Sequence, residues 1–133
     1  MENEVRVPIG SAADIVLARQ KGRALATELD FDGSDLTLIA TAISEVARNI
    51  VDHADHGEVI LSPARQGNKF GIQIVARDEG PGIPDVEQAM QYGYSTRKGL
   101  GVGLPGAKWL MDEFEIVTQV GKGTKVTMKK WLR

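Results

Sequence analysis

The chain of 133 residues contains no cysteine. Disulfides, thiolate nucleophiles and cysteine–zinc centres are therefore excluded. No apolar run approaches the ~20 residues of a membrane span. The opening stretch, MENEVRVPIG, lacks the basic-then-apolar order of a secretory signal. The expectation is a cytoplasmic protein with no membrane association. A basic excess is also missing, since the net charge is −2. That argues against a nucleic-acid partner held by phosphate neutralisation. Apolar content of 42% and charged content of 26% are ordinary for a globular chain. One domain over residues 1–133 is expected. Glycine is the anomaly: there are 15, above the usual share of ~7%. Most of the surplus falls between Gly80 and Gly123.

The periodicity predicts helices first and strands afterwards. Val5 to Ile9 reads as a short edge strand, with Pro8 keeping it at an edge. Ser11 with Asp14 three residues on is a capping-box variant. The helix behind it runs to about Leu29, with Ile15, Ala18, Gly22, Leu25 and Leu29 on one face. Ser34 or Asp35 is predicted to cap a second helix reaching about Ala54, with Ile39, Ala42, Ile43, Val46, Ile50 and Ala54 buried. Val59–Leu61 and Phe70–Arg77 read as an antiparallel pair, connected through Pro63 to Asn68 with Gly67-Asn68 at the turn. Pro84 and Asp85 start a short helix to about Met90, and residues 92–104 have no period and read as a loop. Pro105 is expected at the first position of a helix to about Glu113. Phe114–Val120 and Lys125–Trp131 form a hairpin through Gly121-Lys122-Gly123. The predicted fold class is α+β, a two-layer sandwich with a mixed, mainly antiparallel sheet and helices on one face.

Three short elements carry chemistry. Glu45 and Asn49 are four apart on the second helix and share a face. Asn offers a neutral carbonyl oxygen suited to Mg²⁺, and Glu can accept a proton from a hydroxyl. The alternative is a solvated Glu beside an Asn that bonds its own backbone. Asp78 ends the strand that begins at Phe70, and Gly80 and Gly82 follow it. Its carboxylate can accept from an exocyclic amino group such as that of adenine, with a flat ring against the glycines. The alternative is a turn aspartate that bonds nearby amides. Gly99, Leu100, Gly101, Val102, Gly103 and Leu104 form the third element. Closely spaced glycines expose successive amides that cradle phosphate oxygens, next to a helix N-terminus and to Arg97 and Lys98. The alternative is a lid without a ligand. There is no Walker ending, and no first strand of a Rossmann unit precedes the loop.

Glu-x-x-x-Asn, Asp-x-Gly-x-Gly and Gly-x-Gly-x-Gly, in this order, resemble the N box and glycine boxes of the GHKL (Bergerat-fold) ATPase superfamily. Gly121-Lys-Gly-Thr124 resembles its late Gly-x-Gly-Thr element. The short lid and the stretches AISEVARNI, DEGPGIPD and YGYSTRKGLGVGLPG resemble the anti-sigma-factor serine kinases, and more closely the RsbT-type switch kinases of the bacterial stressosome. The resemblance implies ATP and Mg²⁺, with Glu45 as base and Asn49 as metal ligand. It implies Asp78, Gly80, Gly82 and Thr124 at adenine, and Gly99 through Leu104 at the phosphates. It further implies serine or threonine substrates on STAS-domain scaffold or antagonist proteins, and a PP2C-type phosphatase that the released kinase activates. Two other readings stand beside it: an anti-sigma-factor kinase that sequesters a sigma factor, and a nucleotide-dependent binding module without catalysis. No phospho-accepting histidine box is present; His53 and His56 follow the N box at a helix end. Arg48 lies one residue off the Glu45–Asn49 face and is not assigned to nucleotide.

Overall fold

The computed structural model describes residues 4–90 and 103–133. Its strands are β1 (Val5–Ile9), β2 (Gly57–Gln66), β3 (Lys69–Asp78), β4 (Glu113–Gln119) and β5 (Gly123–Trp131). Its helices are α1 (Ala12–Glu28), α2 (Gly33–Ala54), the single turn α3 (Val86–Ala89) and α4 (Gly103–Leu110). The five strands form one sheet in the order β1-β2-β3-β5-β4, and every pairing is antiparallel. The α+β class predicted from the sequence is observed, and among the described residues the sheet has no parallel pair.

Alternation decides which face of the sheet is covered. Val7 and Ile9, Val59 and Leu61, Ile72, Ile74 and Ala76, and Val126 and Met128 are all buried at every second position of their strands. They join Ile15 and Leu25 of α1 and Ile39, Ile43, Val46 and Ile50 of α2 in one apolar cluster. Both long helices therefore pack on one face. The other face carries no helix among the described residues and is partly solvated, although Ser62, Val75 and Trp131 are buried on it. There Glu58 pairs with Arg6 at 3.3 Å and with Arg77, its cross-strand partner, at 2.6 Å. The helices meet closely because Gly22 has no side chain: a Cβ there would lie 2.1 Å from Ile43 Cδ1. Among the described residues no helix is long and apolar enough to cross a membrane.

The capping box at α1 forms as the spacing predicts. The Asp14 amide donates to Ser11 Oγ at 3.4 Å, and Asp14 Oδ2 accepts from the Gly10 amide at 2.8 Å. Other boundaries move. The N-cap of α2 is Asp32, not Ser34 or Asp35, because Phe31 is buried and its amide closes on Ala26 O, which turns the chain sooner. Strand β2 continues through Pro63 to Gln66. Pairing with β1 stops at Val5–Leu61, so β2 has an open side beyond that point where a missing N–H is harmless. Pro105 is the third residue of α4, still inside the turn whose amides lack helical partners. That helix ends at Leu110 because the Asp112 amide already bonds Lys129 O on β5.

Candidate functional site

Glu45 lies midway along α2 and is 7% exposed. A carboxylate so buried needs partners to offset the loss of water, and it has two. Oε2 pairs with Arg48 Nη1 at 3.1 Å, one helical turn on, and Oε1 accepts the Gly103 amide at 3.0 Å. Gly103 opens α4 with φ +68°, a backbone setting that suits glycine. The positive end of the helix thus faces the carboxylate. The solvated alternative for Glu45 does not hold. Arg48, unassigned in the sequence, is the side chain that holds it.

Asn49 lies one turn beyond Glu45 and is half-buried. Among the described residues its side chain makes no hydrogen bond, so it does not bond its own backbone. Its carbonyl oxygen is of the hard, neutral kind that Mg²⁺ accepts alongside phosphate oxygens and water. No group of three or more acidic or histidine side chains gathers among the described residues. The donor set therefore fits an ion bound mainly through a phosphate substrate.

Asp78 ends β3 on the helix-covered face, in register with Gly57 and Thr124. A Cβ on Gly57 would lie 3.0 Å from both Asp78 Cβ and Ile50 Cγ2, so Asp78 sits beneath the turn of α2 next to Asn49. Its Oδ1 accepts the Gly80 amide at 2.9 Å. The turn role weighed in the sequence is thus present, and it occupies one carboxylate oxygen. The following glycines have their own reasons. A Cβ on Gly80 would meet Ala54 Cβ at 2.5 Å, and one on Gly82, whose φ is +79°, would meet Gln119 O at 2.5 Å. The turn is wedged between the end of α2 and the β4–β5 hairpin, and the Gly121 amide donates to Pro81 O at 2.8 Å.

Thr124, opposite Asp78 on β5, is 6% exposed. Its Oγ1 lies 2.8 Å from Oγ1 of Thr118 on β4. Thr118 also accepts the Ile83 amide at 2.9 Å and donates to Gly123 O at 3.1 Å. The sequence reading missed Thr118. The signal was available: it follows Phe114 and Ile116 at the inward positions of β4, and a polar residue there needs a partner.

Of the glycine loop, Gly99, Leu100, Gly101 and Val102 lie outside the described residues, as do Arg97 and Lys98. Gly103 and Leu104 are described, both buried at the start of α4. His53 and His56 are exposed. A cavity of about 590 Å³ opens at the same end of the sheet, reaching Asp78 and Thr124 but lined by Pro8, Glu58, Arg77 and Lys125 of the opposite face. Neither Glu45 nor Asn49 lines it. The converging groups lie on the helix side.

Residues 10–130 match the family described as the histidine kinase-like ATPase domain. The chain is 47% identical over 133 residues to the serine/threonine-protein kinase RsbT of Bacillus subtilis, covering all of both chains. It is 36% identical over 121 residues to an anti-sigma F factor of a Thermoanaerobacter species, covering 86% of this chain and 83% of the relative. Among solved structures, the RsbU and RsbW domains of a Mycobacterium tuberculosis protein match with a TM-score of 0.67 at 21% identity. That match covers 98% of this chain and 33% of the larger one, and speaks for the fold alone.

Proposed function

We propose, from the premise that the chain belongs to the histidine kinase-like ATPase domain family, that it is an ATP-dependent protein serine/threonine kinase. It acts as one ATP-binding kinase domain over residues 1–133. The observation that carries the reading is Glu45: a buried carboxylate oriented by Arg48 and the Gly103 amide, one turn from an uncommitted Asn49. A family member that only bound nucleotide would have no use for a base held in this way.

In this reading the nucleotide lies between α2 and the C-terminal end of β3. Asp78 and Thr124 face adenine, with Gly80 and Gly82 beside it. Gly99, Leu100, Gly101, Val102, Gly103 and Leu104 meet the phosphates, and Asn49 contributes a ligand to Mg²⁺. When bound, Mg²⁺ neutralises phosphate charge that develops during transfer. Glu45 orients the incoming hydroxyl and takes its proton as the new oxygen–phosphorus bond forms and ADP departs. Its carboxylate must then exchange one of its present partners for the substrate hydroxyl.

Full-length similarity to RsbT supports a role in partner switching in the cytoplasm. The substrates in this reading are STAS-domain stressosome scaffold or antagonist proteins, and a PP2C-type phosphatase is the partner of the released kinase. The anti-sigma F relatives support a second reading, in which the chain sequesters a sigma factor. The test is transfer of labelled phosphate from ATP to a purified STAS-domain protein, with pull-downs of sigma factor and phosphatase alongside. Phosphorylated scaffold with phosphatase capture supports the first reading. Sigma-factor capture without phosphatase capture favours the second, and no transfer to any STAS protein removes the kinase reading.

A further inference from the structure

The Gly103 amide has one proton, and that proton is spent on Glu45 Oε1 at 3.0 Å. The kinase reading gives it a second claimant, because it sets Gly103 at the phosphates. The first turn of α4 has few donors to spare. The opening four positions of a helix have amides without helical partners, and Pro105, the third residue of α4, has no N–H at all. The amide that Glu45 holds is the first of those that remain.

A base must touch the hydroxyl that it deprotonates, and that hydroxyl stands about 3–3.5 Å from the phosphorus it attacks. A donor bonded to the base therefore borders the γ-phosphate, the group in transfer, more closely than the phosphates that stay on ADP. The two partners of Glu45 differ in origin. Arg48 belongs to α2 itself and holds Oε2 from one turn away. Gly103 belongs to α4, which packs on α2, and it holds Oε1. With both in place the carboxylate is buried, as is Leu104 beside it. Little room is left for a substrate hydroxyl until one partner withdraws, and only the Gly103 amide has another anion to go to.

We propose that the Gly103 amide is a shared donor that passes from Glu45 to the γ-phosphate when a nucleoside triphosphate binds, so that the base is uncovered only in the presence of the group to be transferred. This rests on the nucleotide reading above. With ADP in the site the amide stays on Glu45, and Arg48 keeps Oε2 in both states. The coupling is reciprocal: a change that breaks the Glu45–Gly103 bond strengthens the hold on a γ-phosphate.

The test is calorimetric binding, with Mg²⁺, of ADP and of the β,γ-imido analogue of ATP to the wild-type chain, Glu45→Asp and Glu45→Ala. Glu45→Asp keeps the negative charge but stops one methylene short of the Gly103 amide. Both variants are expected to raise the ratio of analogue affinity to ADP affinity by about tenfold over wild type, the size of a hydrogen bond to a charged group released from competition. An unchanged ratio in Glu45→Asp overturns the proposal; a rise in Glu45→Ala alone means charge repulsion with no donor shared. The amide resonance of Gly103 in the wild-type chain gives a second readout that needs no variant to fold. It is expected to shift much further with the analogue than with ADP, and an equal shift with both overturns the proposal. Failure of the wild-type chain to bind either nucleotide removes the nucleotide reading itself, a result distinct from binding of both with the Gly103 resonance unable to tell them apart.

Discussion

Glu45 Oε1 accepts the Gly103 amide at 3.0 Å across 58 residues of sequence. This one bond ties the middle of α2 to the first residue of α4. It gives the carboxylate an orientation that a helix alone does not supply, and it leaves Arg48 to hold the other oxygen. Catalysis and substrate binding should therefore separate on mutation.

Glu45→Gln keeps the shape of the side chain and an oxygen for the Gly103 amide, but it cannot take a proton. Phosphate transfer is expected to fall by about 10²–10⁴-fold, the span typical of a lost general base. ADP binding should change by less than about threefold, because the base does not hold the ground state. Single-turnover transfer and calorimetry read the two effects. Equal losses in both would remove the base assignment.

Arg48 is 34% exposed at its side chain, so its pairing with Glu45 is partly screened. It also offsets the burial of Glu45, so its loss acts on direction and on stability. Arg48→Ala is expected to lower kcat by about tenfold and to lower the melting temperature by a few degrees, with little change in the KM for ATP. Arg48→Lys should recover part of kcat, since an ammonium still attracts the carboxylate but lacks the guanidinium fork. A fall in melting temperature with unchanged kcat would assign Arg48 to the fold alone.

In the proposed reading Asp78 has two duties, which one substitution separates. The Gly80 amide needs only an acceptor, which Asn supplies through its own oxygen. A base amino group needs the charged acceptor. Asp78→Asn is expected to keep a native melting curve while weakening ADP binding by tenfold or more, the size of a lost charge-assisted hydrogen bond of about 1.5–3 kcal/mol. Calorimetry with ADP and a thermal melt check it; retained transfer at wild-type KM for ATP would overturn the adenine assignment.

Much of this architecture was legible because alternation is a local signal. In β3 the apolar residues Ile72, Ile74 and Ala76 repeat at period two, and the burial follows them. The α2 face from Ile39 to Ile50 was equally direct. What escaped was set by distant neighbours. Nothing near Arg48 announces that Glu45 needs it, because the burial of Glu45 is imposed by α4, far along the chain. Pro63 reads as a breaker until the open side of β2 is known. Gly80 and Gly82 were legible as places of unusual backbone, but the contacts that demand glycine come from Ala54 and Gln119. Thr118 looked like any strand threonine until its partners on the hairpin were visible.

The Gly80 contact carries a stability prediction with a built-in control. A Cβ at residue 80 would come to 2.5 Å from Ala54 Cβ and 2.9 Å from Ala54 Cα. These atoms belong to the helix itself, so no rotamer change relieves the overlap, and the end of α2 must shift. Overpacking of this kind costs about 1–3 kcal/mol, and Gly80→Ala is expected to lower the melting temperature by roughly 5–10 °C for a domain of this size. The same shift moves Asp78, whose Oδ1 is bonded to the Gly80 amide, so ADP binding should weaken along with stability. Ala54→Gly removes the obstructing methyl group, although glycine near a helix end has its own cost of up to about 1 kcal/mol. If the contact is the cause, Gly80→Ala combined with Ala54→Gly should melt higher than the sum of the two single changes predicts, and should regain ADP affinity. Strict additivity in that cycle would mean that the Ala54 contact is not the cause of the loss and that α2 is not pressed against the turn.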